Sequence, residues 1–180
     1  MAEAFSNKLA RAVGIVSTVS AGSVGVTTNH ITGITTVDVS VGDLISNANY
    51  IHGTKVQSVG LGSVIANRDS TNTSAVDGNG VFKFLGITSA YVSPAATKSI
   101  LIGGTFGNNT DSEVKVTIEV HDSSTNIAAG LGQDIPVPTG SSFVISDAGK
   151  TVLEANDSLR IYCDTANGVD VTLAILTGVS

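Results

Sequence analysis

The chain has 180 residues, 15 acidic against 9 basic side chains, a formal net charge of -6, 20 glycines, 3 prolines, one cysteine and no tryptophan. That length suffices for one or two domains with real cores; the single cysteine excludes an internal disulfide, and the lack of a Gly-X-Y period excludes collagen. The basic residues are scattered with no two adjacent, which argues against a nucleic-acid surface. No leader-like charge pattern and no 18-residue apolar window occurs, so neither a signal peptide nor a membrane span is expected.

"AFSNKLARAVGIVSTVS", Ala4 to Ser20, predicts a short N-terminal helix or arm over 1–16. Ser6 would cap it. Leu9, Ala12 and Val13 would line one side, with Lys8 and Arg11 on another, and Gly14 would end it. From Ile15 the chain becomes β-branched. A small β module is expected over 17–84. Val37, Val39 and Val41 alternate with Asp38, Ser40 and Gly42, which is the strand period. Val56, Ser58 and Gly60 then alternate with Gln57, Val59 and Leu61. Arg68–Gly80 reads as a polar loop whose end, "DGNG", suits a tight hairpin turn before "VFKFLGI".

The segment 85–180 predicts an antiparallel β-sandwich. "KSILIGGTFGN", "SEVKVTIEVHD", "SSFVISD", "DSLRIYCDT" and "GVDVTLAILTG" are its strands. Val114, Val116, Ile118 and Val120 share a dry face, opposite Glu113, Lys115, Thr117 and Glu119 on a wet one. Pro136 and Pro138 precede a strand, where a missing N–H does least harm. The fold class expected is therefore mainly β: a sandwich with an inserted β module and a short N-terminal helix or arm.

No catalytic, cofactor or metal site is expected. His30, His52 and His121 lie too far apart in sequence for a close pair of zinc ligands, and His121 reads as a strand-end surface residue. Cys163 alternates with Leu159 and Ile161 and should point into the core. Asp111, Glu113, Glu119, Asp122 and Asp134 would serve a glycosidase only if two of them faced one groove; solvated decoration is the simpler reading. Oxygen-rich loops such as "NNTDSE" lack the spacing of a helical calcium loop. "GLGS" and "GNGVF" do not continue as G-x-G-x-x-G into a helical pattern and read as turns. Tyr50, in "NANYIHG", is the best candidate for an exposed binding residue.

Several stretches resemble a family of small, predominantly β virion structural proteins of tailed bacteriophages. They are the "SNKL" opening at Ser6–Leu9, the proline and glycine turn at Pro136, Pro138 and Gly140, and "VLEANDSL" at Val152–Leu159. Asn156 stands where that turn usually carries glycine, and Asn tolerates the left-handed conformation required. The resemblance covers the first fifteen residues and about 85–179; between them lies an insert similar to a β module of phage and surface proteins, at Asp38–Ile45 and Gly53–Ile65.

The resemblance implies a non-enzymatic virion component, a capsid decoration, neck or tail accessory protein assembled in the host cytoplasm. Its partners would be other copies of itself and other virion proteins, with no nucleic acid and no membrane. Ser6, Lys8, Leu9, Arg11, Val13 and Ile15 are the expected assembly interface, with Leu9, Val13 and Ile15 buried against a neighbour. The alternatives are a host-receptor or glycan-binding module and, behind it, a glycan-degrading enzyme.

Overall fold

The structure, a computed structural model, describes residues 3–73 and 79–179, with the backbone alone at 147–150. The chain forms two compact units, Met1–Gly14 with Thr88–Ser180, and Ile15–Ile87. Among the described residues every regular element is a strand.

The first unit is an antiparallel sandwich. One sheet orders β1 (Ala4–Val13), β14 (Val169–Val179), β9 (Lys98–Asn108) and β12 (Ser142–Leu153) as β1-β14-β9-β12. The other orders β11 (Ile127–Val137), β10 (Val114–Asp122), β13 (Ser158–Cys163) and β8 (Thr88–Val92) as β11-β10-β13-β8. Strand alternation sends one side chain in two inward. Phe106, Val171, Leu173 and Ile175 of the first sheet thus join Val116, Ile118, Leu159 and Ile161 of the second in one buried cluster, which also holds Cys163. Asn156 has φ 69°, so the turn before β13 uses the left-handed conformation anticipated for it.

The second unit is a six-stranded sheet. It comprises β2 (Ile15–Val24), β3 (His30–Thr32), β4 (Leu44–Ser46), β5 (Val56–Gly60), β6 (Ser63–Ala66) and β7 (Asn79–Gly86), ordered β4-β7-β2-β3-β6-β5. Phe82, Phe84, Ile31, Val64 and Tyr50 centre its core. The "DGNG" turn falls partly on residues 74–78, outside the described ones.

Several expectations are corrected. The N-terminal helix over 1–16 does not exist: Ala4–Val13 is strand β1, so Ser6 caps nothing. So short a helix is marginal alone, while β14 offers a strand edge that takes Ala4–Ala10 in seven consecutive pairs. Leu9 and Val13, four residues apart, would share a face in a helix or in an unbroken strand, and a bulge between them sets them on opposite faces. Ala12 has φ 54°, the register shifts between Ala10 and Val13, and Val13 turns inward. The segment is accordingly an edge strand of the sandwich rather than a separate arm.

Val37–Val41 is not a strand either; left-handed Asp38, φ 62°, breaks the extension, and only Val39 is buried. Pro136 lies inside β11 rather than before a strand. β11 is an edge, and Lys115, opposite Pro136, turns its N–H and carbonyl to Asp164 on its other side, so the missing N–H of Pro136 costs no ladder bond. Glu119 and His121 are buried, not on a wet face. β10 itself keeps its alternation, paired without a shift to β13 from Val116 to His121, so Glu119 and His121 are buried on the face opposite the sandwich core.

Candidate assembly interface

The outer face of the sheet β1-β14-β9-β12 can be read row by row from its register. Phe5 pairs with Leu176, Leu176 with Ile100, and Ile100 with Val152. This row crosses all four strands and is entirely apolar. Phe5 is 66% exposed and Val152 50% exposed, with Leu176 and Ile100 half-buried between them. The next outward row is small: Asn7, Ala174, Gly103 and Ser146. The third is Leu9, Thr172, Thr105 and Val144, in which Leu9 is 73% exposed and Val144 52% exposed. Two ridges with apolar ends therefore flank a row of small side chains, beside which the extra residue of the β9 bulge, Ile102, is also exposed.

Ion pairs stand at both ends of this face. Lys98 Nζ lies 3.1 Å from Glu154 Oε1, and Arg11 Nε lies 3.9 Å from Asp170 Oδ2. Asp170 Oδ1 also accepts the Ala12 N–H at 2.8 Å, which holds the β1 bulge. Exposed pairs of this kind contribute little stability, about 0–1 kcal/mol each. An apolar patch rimmed by charge is the usual anatomy of an interaction surface.

The expected interface residues divide between this face and the protein's own packing. Phe5 and Leu9 lie on the outward face, together with exposed Arg11. Ser6 and Lys8 face the other way, opposite Ile175 and Leu173. Val13 is 2% exposed and belongs to the sandwich core, so it has no surface to bury against a neighbour. Ile15 opens β2 in the second unit and is exposed. The sequence reading missed Phe5, Leu176, Ile100, Val152 and Val144. Their signal was present: Ile100 and Leu176 are apolar residues at positions where alternation demands a wet face.

Tyr50 is not an exposed binding residue. It is 5% exposed and packs in the second unit's core, with its hydroxyl 3.4 Å from the Thr28 carbonyl oxygen. Burial, then the nearby Asp69 charge, pushes its pKa up to about 12, so it stays neutral at physiological pH.

The other candidate groups have structural occupations. Cys163 is buried. His121 Nε2 sits 3.0 Å from Asn126 Oδ1, and His30 and His52 lie in the other unit. Asp122 closes a turn, Asp134 pairs with Lys115 at 2.8 Å, and buried Glu119 stands opposite Arg160 across the β10–β13 register. Glu113 and Asp122 are at opposite ends of β10, about 30 Å apart at strand rise. Gly149-Lys150-Thr151 lies within β12 with Val144 where a phosphate loop carries its first glycine. A cavity of about 320 Å³ in the second unit is lined by Ile15, Val41, Ile87, Asp38 and Asp43, but the Asp43 carboxylate is engaged by the Ser40 N–H at 3.0 Å. Among the described residues no three His, Cys, Asp or Glu gather in a way that could hold a metal ion, and no helix is long and apolar enough to cross a membrane.

No family model, curated protein or solved structure matches the chain.

Proposed function

We propose that this protein is a non-enzymatic structural component of a tailed-bacteriophage virion, a capsid decoration, neck or tail accessory protein, built in from repeated copies in the host cytoplasm. The observation that carries the reading is the outer face of the first sheet, where one apolar row crosses all four strands and reaches the free edge at β1. The "SNKL" opening and the "VLEANDSL" turn support it through their resemblance to phage virion proteins. The N-terminal anchor is revised to Phe5 and Leu9, with exposed Arg11 following them; Val13, buried in the core, is not part of it. The receptor-binding alternative loses its motive with Tyr50 buried. The glycan-degrading alternative loses its motive because its carboxylates are dispersed among structural contacts.

Quantitative mass spectrometry of purified native particles tests the proposal, with the chain expected in many copies per particle. A protein confined to the infected-cell cytosol and missing from particles overturns it. Leu9→Asp is expected to change the stability of the isolated protein by no more than about 0.5 kcal/mol, since the side chain is exposed. The same substitution should lower incorporation into particles. A large fall in the thermal transition would place Leu9 in the protein's own core and remove it from the anchor.

A further inference from the structure

β1 differs from every other sheet edge among the described residues. An open edge is a template for another strand, and proteins usually blunt it by shortness, bulges or charge. β12 is broken by a register jump between Ser146 and Thr151. β11 is shifted twice, between Val116 and Ile118 and between Ile118 and Glu119 of its partner. β8 has five residues and a shift, β5 has five and a shift, and β4 has three. β1 alone is paired without interruption over seven residues, Ala4 to Ala10, while its other side carries no strand.

We propose that β1 adds antiparallel to β1 of a second copy about a two-fold axis at Asn7, joining the two four-stranded sheets into one of eight. The inference rests on the reading that the protein assembles through repeated copies, and it names the contact.

Charge and apolar complementarity select the register. With the axis at Asn7, Phe5 of each copy faces Leu9 of the other, and Glu3 faces Arg11. Lys8 faces Ser6, and Asn7 faces itself. Phe5, Asn7 and Leu9 share the outward face by alternation, while Glu3 immediately precedes β1 and Arg11 lies in its bulge beside Asp170. The apolar row ending at Phe5 therefore continues into Leu9 of the second copy. Cross-strand pairs of this kind stabilise the ladder, and like charges directly opposite oppose pairing.

Neighbouring registers lose these matches. An axis at Lys8 sets Lys8 against Lys8 and Arg11 against Phe5. An axis at Ser6 sets Leu9 against Glu3 and Phe5 against Asn7. A one-residue slip opposes the outward side chains of one copy to the inward ones of the other. Lys8, the charge that discourages indiscriminate pairing at this edge, is tolerated at the Asn7 register because it meets a serine. A symmetric interface that closes at two copies follows from the self-complementary strand.

The test uses the full chain. Sedimentation of the wild type should give twice the 18.1 kDa chain mass. Asn7→Cys should form a disulfide-linked dimer on mild oxidation, because directly opposed residues of antiparallel strands have Cα atoms about 4.5–5.5 Å apart, within disulfide reach. The native cysteine is buried and does not compete. Leu9→Cys should not link to itself but should link to Phe5→Cys when the two are mixed.

Glu3→Arg and Arg11→Glu should each raise the dimer Kd about tenfold, since each sets two like-charge pairs across the axis. Mixed together, they should restore wild-type dimerisation, because each copy then supplies the charge the other lacks. The Arg11–Asp170 pair affects only one variant and cannot produce rescue on mixing. Circular dichroism confirms that each variant is folded. A monomeric wild type, self-linking of Leu9→Cys in preference to Asn7→Cys, absence of rescue on mixing, or an open series of higher oligomers from β1–β12 pairing overturns the proposal. A monomer that still enters particles overturns this contact and leaves the virion reading standing; a dimer absent from particles does the reverse.

Discussion

The sandwich and the inserted module solve the same burial problem with different materials. In the sandwich, long alternating strands deliver aliphatic side chains from two sheets into one cluster, which buries the ring of Phe106 fully beside Leu173 and Ile175. The module's strands are shorter, and its loops supply much of what covers Phe82 and Phe84, including Ile34, Val39 and Tyr50. Loops carry backbone polar groups that a sheet would have paired, so buried loops need side-chain partners. The module ties its loops chiefly with hydroxyls and amides. Ser70 Oγ donates to the Gly25 carbonyl oxygen at 2.9 Å, Asn72 Nδ2 to that of Val24 at 3.3 Å, and Asn67 Oδ1 accepts the Lys55 N–H at 2.8 Å. The sandwich adds carboxylates to hydroxyls and amides at its turns. Asp157 accepts the Ser123 and Glu154 N–H groups, each at 3.0 Å, and Asp164 accepts that of Lys115 at 2.9 Å. A core made of strands needs packing; a core roofed by loops needs polar anchors as well.

Removing a ring from each core tests the first half of that contrast and has the largest expected effect. Phe106→Ala and Phe82→Ala both delete fully buried rings, and each should cost about 3–5 kcal/mol by loss of transfer energy and creation of a cavity. Denaturant unfolding followed by hydrogen exchange at the mutated unit reads the loss. The module value should fall toward the low end, since a loop roof collapses onto a void more readily than a paired strand does. Equal losses, with the same residual cavity volume in both variants, would break the comparison.

Removing polar anchors should reverse the emphasis. Ser70→Ala deletes a buried donor and leaves the Gly25 carbonyl oxygen without it, costing about 1–3 kcal/mol. The nearest equivalent in the sandwich is Ser93, whose Oγ lies 2.9 Å from Ser99 Oγ and donates to the Thr97 carbonyl oxygen at 3.0 Å. Ser93→Ala should cost less, because Ser99 Oγ keeps the Tyr91 hydroxyl at 2.8 Å as a partner. Thermal unfolding of both variants checks the order. A larger loss at Ser93 would show that the sandwich leans on polar anchors more heavily than its strand packing suggests.

The sandwich was the more legible unit for the same physical reason. β9, β10, β13 and β14 alternate over a dry face, and turn residues bound them, so Ile161, Cys163 and Val116 could be placed in the core from their spacing. β11 escaped notice because "IAAGLGQDIPV" is an edge strand with one partner, free to carry two glycines and a proline. β1 was misread as a helix because the four-residue spacing of Leu9 and Val13 suits a helix and a strand alike, and no local pattern marks the bulge at Ala12. Tyr50 was misread as exposed because its loop is polar by composition, and only the fold brings that loop over Phe82 and Phe84. The outward rows of the interface could have been suspected from Ile100 and Leu176. Their joining into one face depends on strand order, β1 beside β14 beside β9 beside β12, which no local pattern encodes.

The smallest expected effect isolates the carboxylate side of the comparison. The β10–β11 hairpin turns through Ser123–Asn126, with Asn126 left-handed at φ 55°. Asp122 Oδ1 accepts the Ser124 hydroxyl at 2.7 Å, the Ser124 N–H at 2.8 Å and the Thr125 N–H at 3.2 Å. These bonds favour the ionised form, the Ser124 hydroxyl most, and lower the Asp122 pKa from 3.8 to about 2. A depressed native pKa means that the unfolded chain binds its proton first as pH falls. The stabilisation is therefore present above about pH 3.8 and is lost as pH drops through about 2. Carboxyl-carbon NMR titration should find Asp122 still ionised at pH 3, with the Ser124 and Thr125 amide shifts moving together only nearer pH 2. The Ser70 and Asn72 anchors of the module carry no titrating proton, so amide exchange around them should not follow that midpoint. Titration of Asp122 near 3.8 would mean that its turn bonds do not persist in solution, and the contrast between charged turns and neutral loops would then rest on Asp157 and Asp164 alone.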